Sequence, residues 1–255
     1  MKISISDCAK LDELLPIAIK YNVGIEVQEF TSPDFLDDKQ FLAKEFSEKI
    51  KNIPLRGFHG PFSEMVPASR DKLIAEVTRQ RFDTAYRLAA VINVQHLILH
   101  TGFIPKTYPH EEWINNSVKF WTNFLSDKND SIEIHIENVY EDDPSTILEL
   151  LDKINESLQR EAVSSCLDIG HVNANSSKTH KEWITTLGRR IKYVHVHNNG
   201  GIFDDHWGLW EGTINVGEVL DLLKEYSPES VWMIEARQPF ISDSLEWLKE
   251  RNYLG

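Results

Sequence analysis

Residues 132–138 read IEIHIEN. Ile132, Ile134 and Ile136 alternate with Glu133, His135 and Glu137. Successive side chains of a strand point to opposite faces. The spacing therefore predicts a strand with one apolar face against a packed layer and one polar face that ends on a carboxylate. KYVHVH at 192–197 has the same form, and two further stretches, VSSCLD at 163–168 and VWMIE at 231–235, also end on a carboxylate. Val194 and Val196 take one face, and His195 and His197 the other. Trp232 and Ile234 likewise oppose Glu235.

Working outward, four further strands are predicted at 2–6, 23–28, 55–59 and 96–100. Helical patterns lie between them at 10–22, 39–51, 70–92, 111–127, 145–158, 181–188, 216–226 and 242–251. The third is the clearest, with Leu73, Val77, Arg81, Ala85 and Leu88 expected along one face. Pro144 followed by Ser145, and Ser242 ahead of an apolar stripe, are start signals. Strand and helix thus alternate eight times, with no linker or low-complexity tract. Eight such units in 255 residues predict an α/β protein, one (β/α)8 TIM barrel domain spanning 1–255.

The composition agrees, with 41% hydrophobic and 26% charged residues. The N-terminal MKISISDCAK contains no signal-peptide stretch, and no run is long enough to span a membrane. Two cysteines, Cys8 and Cys166, are too few for a disulfide scaffold. A reduced, cytoplasmic protein with free thiols is expected, with inward-facing Cys166 as core filler. The net charge of −13 argues against nucleic acid as a partner and none of the features suggests a membrane. No Walker loop, Gly-x-Gly-x-x-Gly fingerprint or serine nucleophile elbow is present.

The strand ends carry the chemistry. They offer His59, His100, Glu137, Asp168 with His171 three residues on, His195 with His197, and Glu235. An unusually long connection, NNGGIFDDHWGLWEGTIN at 198–215, adds Asp204, His206 and Glu211. In a barrel these ends converge on one face. Imidazoles mixed with carboxylates form a ligand set for zinc, manganese, cobalt or magnesium, and clustered carboxylates need a cation. Singly, each has a plainer reading. His59 and His100 suit structural histidines, Asp168 suits a helix N-cap, and Glu235 suits a pair with Arg237. Trp207 and Trp210 suit either stacking on a substrate ring or packing of the loop.

The chain resembles the xylose-isomerase-like barrels, a superfamily of sugar isomerases and epimerases that also includes repair enzymes of the endonuclease IV type. The likeness is carried by HGPF at His59, LILHTG at His100, IHIEN at Glu137, CLDIGH at Asp168 and His171, HVHNN at His195, DDHWGLWEGTI at 204–214 and MIEAR at Glu235. It covers about residues 20 to 240. It implies a metal-dependent isomerase or epimerase of a small sugar or sugar phosphate. Glu137, Asp168, His195 and Glu235 would hold the metal, and Glu137 and Glu235 would also act as the acid/base pair. His171, His197, Trp210, Glu211 and Arg237 are the expected substrate contacts. The alternative it implies is a multinuclear zinc phosphodiester hydrolase. There His59, His100, His171, Asp204 and His206 join the ligands, making one to three ions per chain. The stretch GPFSEMVPASRD at 60–71 lacks the DNA-wedging insertion of those repair enzymes. The superfamily also admits a homo-dimer.

Overall fold

The computed structural model describes residues 2–6, 11–129 and 131–254. The eight expected strands form. They are β1 (Lys2–Ser6), β2 (Gly24–Val27), β3 (Arg56–His59), β4 (His96–His100), β5 (Glu133–Glu137), β6 (Val163–Asp168), β7 (Ile191–Val196) and β8 (Val231–Ile234). All neighbours pair in parallel and β1 pairs with β8, which closes the barrel. Cys8 and Lys10, named above as a free thiol and a helix start, lie outside the described residues.

The helices are α1 (Leu11–Tyr21), α2 (Pro33–Asp38), α3 (Leu42–Ile50), α4 (Lys72–Ile92), α5 (His110–Leu125), α6 (Pro144–Leu158), α7 (Ile169–Asn175), α8 (His180–Leu187), α9 (Val216–Tyr226) and α10 (Phe240–Glu250). Two of these, α2 and α7, are short helices that the periodicity does not predict. The expected helix 39–51 starts later, at Leu42, and α10 starts two residues ahead of Ser242. Asp143 caps α6 by accepting the Ser145 N–H, one residue ahead of Pro144.

The face expected of α4 is corrected. Ala85 and Leu88 are buried, but Leu73 and Val77 are 76% and 50% exposed. The buried stripe is Thr78, Phe82, Ala85, Leu88, Ala89 and Ile92. A row taken every four residues rotates by about 40° per step, because the helix repeats every 3.6 residues. Three steps back from Ala85, the row has left the packed side.

Outward strand residues such as Ile134, Ile136, Val194, Val196, Trp232 and Ile234 join the helices in the main core. Inside the barrel, Leu55, Ile98, Cys166, Tyr193, Val231 and Met233 form a second cluster. Cys166 is thus buried among apolar neighbours, and burial pushes its thiol well above the usual range. One gap in this inner layer matters below. A Cβ on Gly57 would come within 2.8 Å of Tyr193 Oη and 3.2 Å of Glu26 Cγ. Glycine there leaves room for the Glu26 side chain inside the barrel. Among the described residues, no helix is long and apolar enough to cross a membrane.

Candidate metal centre

The side chains at the C-terminal strand ends meet. Parallel register places His100 beside Glu137 and Asp168 beside His195. Asn138 clamps the ends of β5 and β6. Its amide donates to the Asp168 carbonyl at 3.1 Å, and its Oδ1 accepts the Asp168 N–H at 2.9 Å. Asp168 is also the N-cap of α7, accepting the His171 N–H at 2.6 Å. Both readings of Asp168 are therefore compatible with one geometry.

Glu137 lies at the centre. Its Oε2 is 3.2 Å from His59 Nε2 and 3.3 Å from His100 Nε2. Its Oε1 is 3.3 Å from both His195 Nδ1 and His171 Nδ1. Glu235 Oε2 lies 3.1 Å and Asp168 Oδ2 3.6 Å from the same His195 Nδ1. Asp204 reaches His206 Nε2 at 2.8 Å, His171 Nε2 at 3.4 Å and His197 Nε2 at 3.5 Å. All nine expected ligand side chains thus stand in one contiguous cluster.

The long connection after β7 delivers Asp204 and His206. It folds on Asn198, whose amide donates to the Leu209 and Ile214 carbonyls and whose Oδ1 accepts the Ile214 and Asn199 N–H groups. A Cβ on Gly212 would collide with that amide, at 2.0 Å from Oδ1. His206 itself sits at φ 53°, in the left-handed region that non-glycine residues rarely occupy.

The donor set fits a cation. His59 Nδ1–H donates to the Gly60 carbonyl, His171 Nδ1–H to the Asn138 carbonyl and His206 Nδ1–H to the Glu235 carbonyl, each at 2.8 Å. A neutral ring so fixed turns its Nε2 lone pair outward. In His59 that lone pair faces Glu137, and in His171 and His206 it faces Asp204. Lone pair against carboxylate is repulsive, so each imidazole must carry a second proton or share a cation. His195 Nδ1 is buried with no hydrogen-bond partner, although three carboxylates surround it. The charge pattern says the same. Burial alone would raise Glu137, but the His195 and His100 imidazoles hold it well below the usual carboxylate range. Glu235 is held at about 2 by His195 and His206 against its own burial. His206 rises to about 9, because Glu235 and Asp204 outweigh its burial.

The cluster floors a cleft of about 890 Å³. Its flank is apolar: Phe35, Phe62, Met65, Phe103, Ile104 and Tyr140 line it. Phe62 stacks on His100 with ring centroids 4.9 Å apart. His171 lines the cleft, whereas His197, Trp210, Glu211 and Arg237 are not among its lining residues. His197 is buried behind the floor, stacked on His206 at 4.1 Å. Trp210 packs edge-on to Phe240 at 6.3 Å. Arg237 is exposed, and its backbone N–H donates to the His206 carbonyl at 2.8 Å. Sequence reasoning missed Glu26, Gln28 and the apolar flank. A lone carboxylate inside the apolar run GIEV was the signal for Glu26.

A family model described as Xylose isomerase-like TIM barrel matches residues 21–251. The chain belongs to the xylose isomerase-like TIM barrel family. Within it, the chain is 29% identical over 187 residues to the uncharacterised protein MJ1311 of Methanocaldococcus jannaschii. That match covers 69% of this chain but only 62% of the relative, less than two thirds of its length. Among solved structures, a D-tagatose 3-epimerase-like protein is 26% identical with a TM-score of 0.80, covering 98% of this chain and 96% of that one. The TTHB071 protein from Thermus thermophilus, in crystals soaked with ZnCl2, shares the fold at 20% identity and a TM-score of 0.77, covering 98% of this chain and 97% of that one.

Proposed function

We propose that the protein is a divalent-metal-dependent isomerase or epimerase of an unphosphorylated sugar. One observation carries the reading: Glu137 and Glu235, from opposite parts of the sequence, converge on His195 Nδ1 at 3.3 and 3.1 Å on the floor of the cleft. Glu137, Asp168, His195 and Glu235 would hold the ion. When bound, a zinc, manganese, cobalt or magnesium ion supplies Lewis acidity to a substrate carbonyl. The chain supplies the rest. One of the two glutamates removes the proton from the carbon beside the carbonyl, and the other returns a proton. His171 turns its Nε2 lone pair into the site, where it would accept from a substrate hydroxyl, and Phe62 with Tyr140 shields the reacting carbon from water.

The lining supports an unphosphorylated substrate. Among the described residues that line the cleft there is no lysine or arginine, while Glu29, Glu64 and Asp204 are present. A phosphate dianion would meet carboxylates there with no lysine or arginine to hold it. Incubation with free ketoses in deuterated solvent tests the proposal. The expected result is deuterium at a carbon-bound position, with the rate lowered at least about 100-fold in Glu137→Gln. Near-full exchange in that variant would sink the reading.

A second reading is zinc-dependent phosphodiester hydrolysis. It is supported by the gathering of nine ligand side chains where an isomerase needs four. The absence of lysine and arginine from the described cleft lining weighs against it. Metal content near three zinc ions per chain, with cleavage of DNA at abasic sites, would establish it in place of the first.

A further inference from the structure

Three imidazoles of the cluster, His59, His171 and His206, spend their outer nitrogen on a main-chain carbonyl. His195 does not. Its Nε2 is buried, makes no hydrogen bond as placed, and lies 3.4 Å from Oε2 of Glu26. That Oε2 is itself buried without a hydrogen-bond partner. Both side chains are fully enclosed in the barrel. An unpaired polar atom in such a place is expensive, and two of them facing each other complete one another. The other oxygen of Glu26 accepts from the Gln28 amide at 2.9 Å, and the same amide donates to Glu235 Oε1 at 2.6 Å. The space for this carboxylate exists because residue 57 is glycine.

We propose that Glu26 is a positioning residue. Its carboxylate takes the Nε2–H of His195 and so turns the Nδ1 lone pair onto the point where Glu137, Asp168 and Glu235 converge. Gln28 carries the constraint across to Glu235, leaving Glu235 Oε2 free for the ion or for a proton. A carboxylate here does more than the carbonyls behind the other rings. It fixes the tautomer and also makes the imidazole a stronger donor. The proposal rests on the metal reading above, but not on which reaction the site performs.

Two measurements test it. In the zinc-loaded protein labelled with nitrogen-15 at histidine, long-range proton–nitrogen spectra should show the His195 proton on Nε2. His59, His171 and His206 should carry theirs on Nδ1. Competition with a chromophoric chelator should show Glu26→Gln binding zinc 10- to 100-fold more weakly than the parent, in line with the usual effect of such partners. A His195 proton on Nδ1, or zinc affinity within twofold of the parent in Glu26→Gln, overturns the proposal. The spectra need only the parent protein, so they decide even if the variant does not fold. A parent protein that takes up no zinc, manganese, cobalt or magnesium overturns the metal reading and this proposal together.

Discussion

His96 stands at the end of the barrel away from the cleft. Its Nδ1 is 3.0 Å from His135 Nε2 and 3.7 Å from Glu133, its ring packs on Tyr193, and Lys2 is near. Burial, helped by Lys2, lowers it to about 4. The unfolded residue titrates near 6.5, so the unfolded chain takes up this proton first. The stabilising contribution is whole above pH about 6.5. It fades as pH falls toward 4, by up to roughly 3 kcal/mol. A histidine titration by NMR should place the His96 midpoint near 4, and a midpoint above 6 would refute this. Single residues were unevenly legible in the sequence. A strand end advertises itself when a His, Asp or Glu follows an alternating run, as at His100, Glu137 and Glu235. Glu26 sits inside its strand, where parity alone does not reveal that a glycine across the ladder has made room for it. The placement of Trp210 and Arg237 depends on how a loop folds back, which no local pattern states.

Elements follow the same division. Strands were readable because successive side chains face opposite ways, so apolar outward positions recur every second residue against a different inward face. Long helices were readable in extent but less so in rotation, as α4 shows. The short helices α2 and α7 were not, since two turns give too little repeat to detect. The connection 198–215 was legible only as long. Its fold hangs on one buried amide, Asn198, with four hydrogen bonds to the loop and its neighbours. Asn198→Ala leaves those main-chain groups without partners, and each such loss is worth on the order of 1 kcal/mol. The variant should unfold in denaturant with a stability lower by roughly 3 kcal/mol. Limited proteolysis should cut it within 200–213 much faster than the parent. Unchanged cutting would show that the loop is held by something else.

At the scale of the molecule, the closed barrel was legible because eight alternating units leave no chain over for another architecture. A candidate cation site was legible from charge clustering, though not which ion would suit it, because mixed imidazole and carboxylate sets accept several ions. If an ion bridges the cluster, it stabilises the folded chain by mass action. An excess of 1,000 times Kd is worth about 4 kcal/mol, or roughly 8–16 °C in Tm for a domain of this size. Thermal melts of metal-loaded and chelator-stripped protein should differ by that order. Coincident melts would mean that the buried carboxylates are balanced by protons alone.

The cluster draws on the strand ends from β3 to β8, with Glu26 from β2 behind it, and the four side chains proposed to hold the ion come from the ends of four strands. The pocket therefore does not exist on any shorter piece of the chain. While the polypeptide is still emerging from the ribosome, His59 and His100 precede Glu235 by more than half of the chain, and β1 waits for its neighbour β8 until the end. If the site takes an ion, loading is thus an event of the finished molecule. A nascent chain exposes loose histidines and acids, but it cannot yet choose among ions by shape.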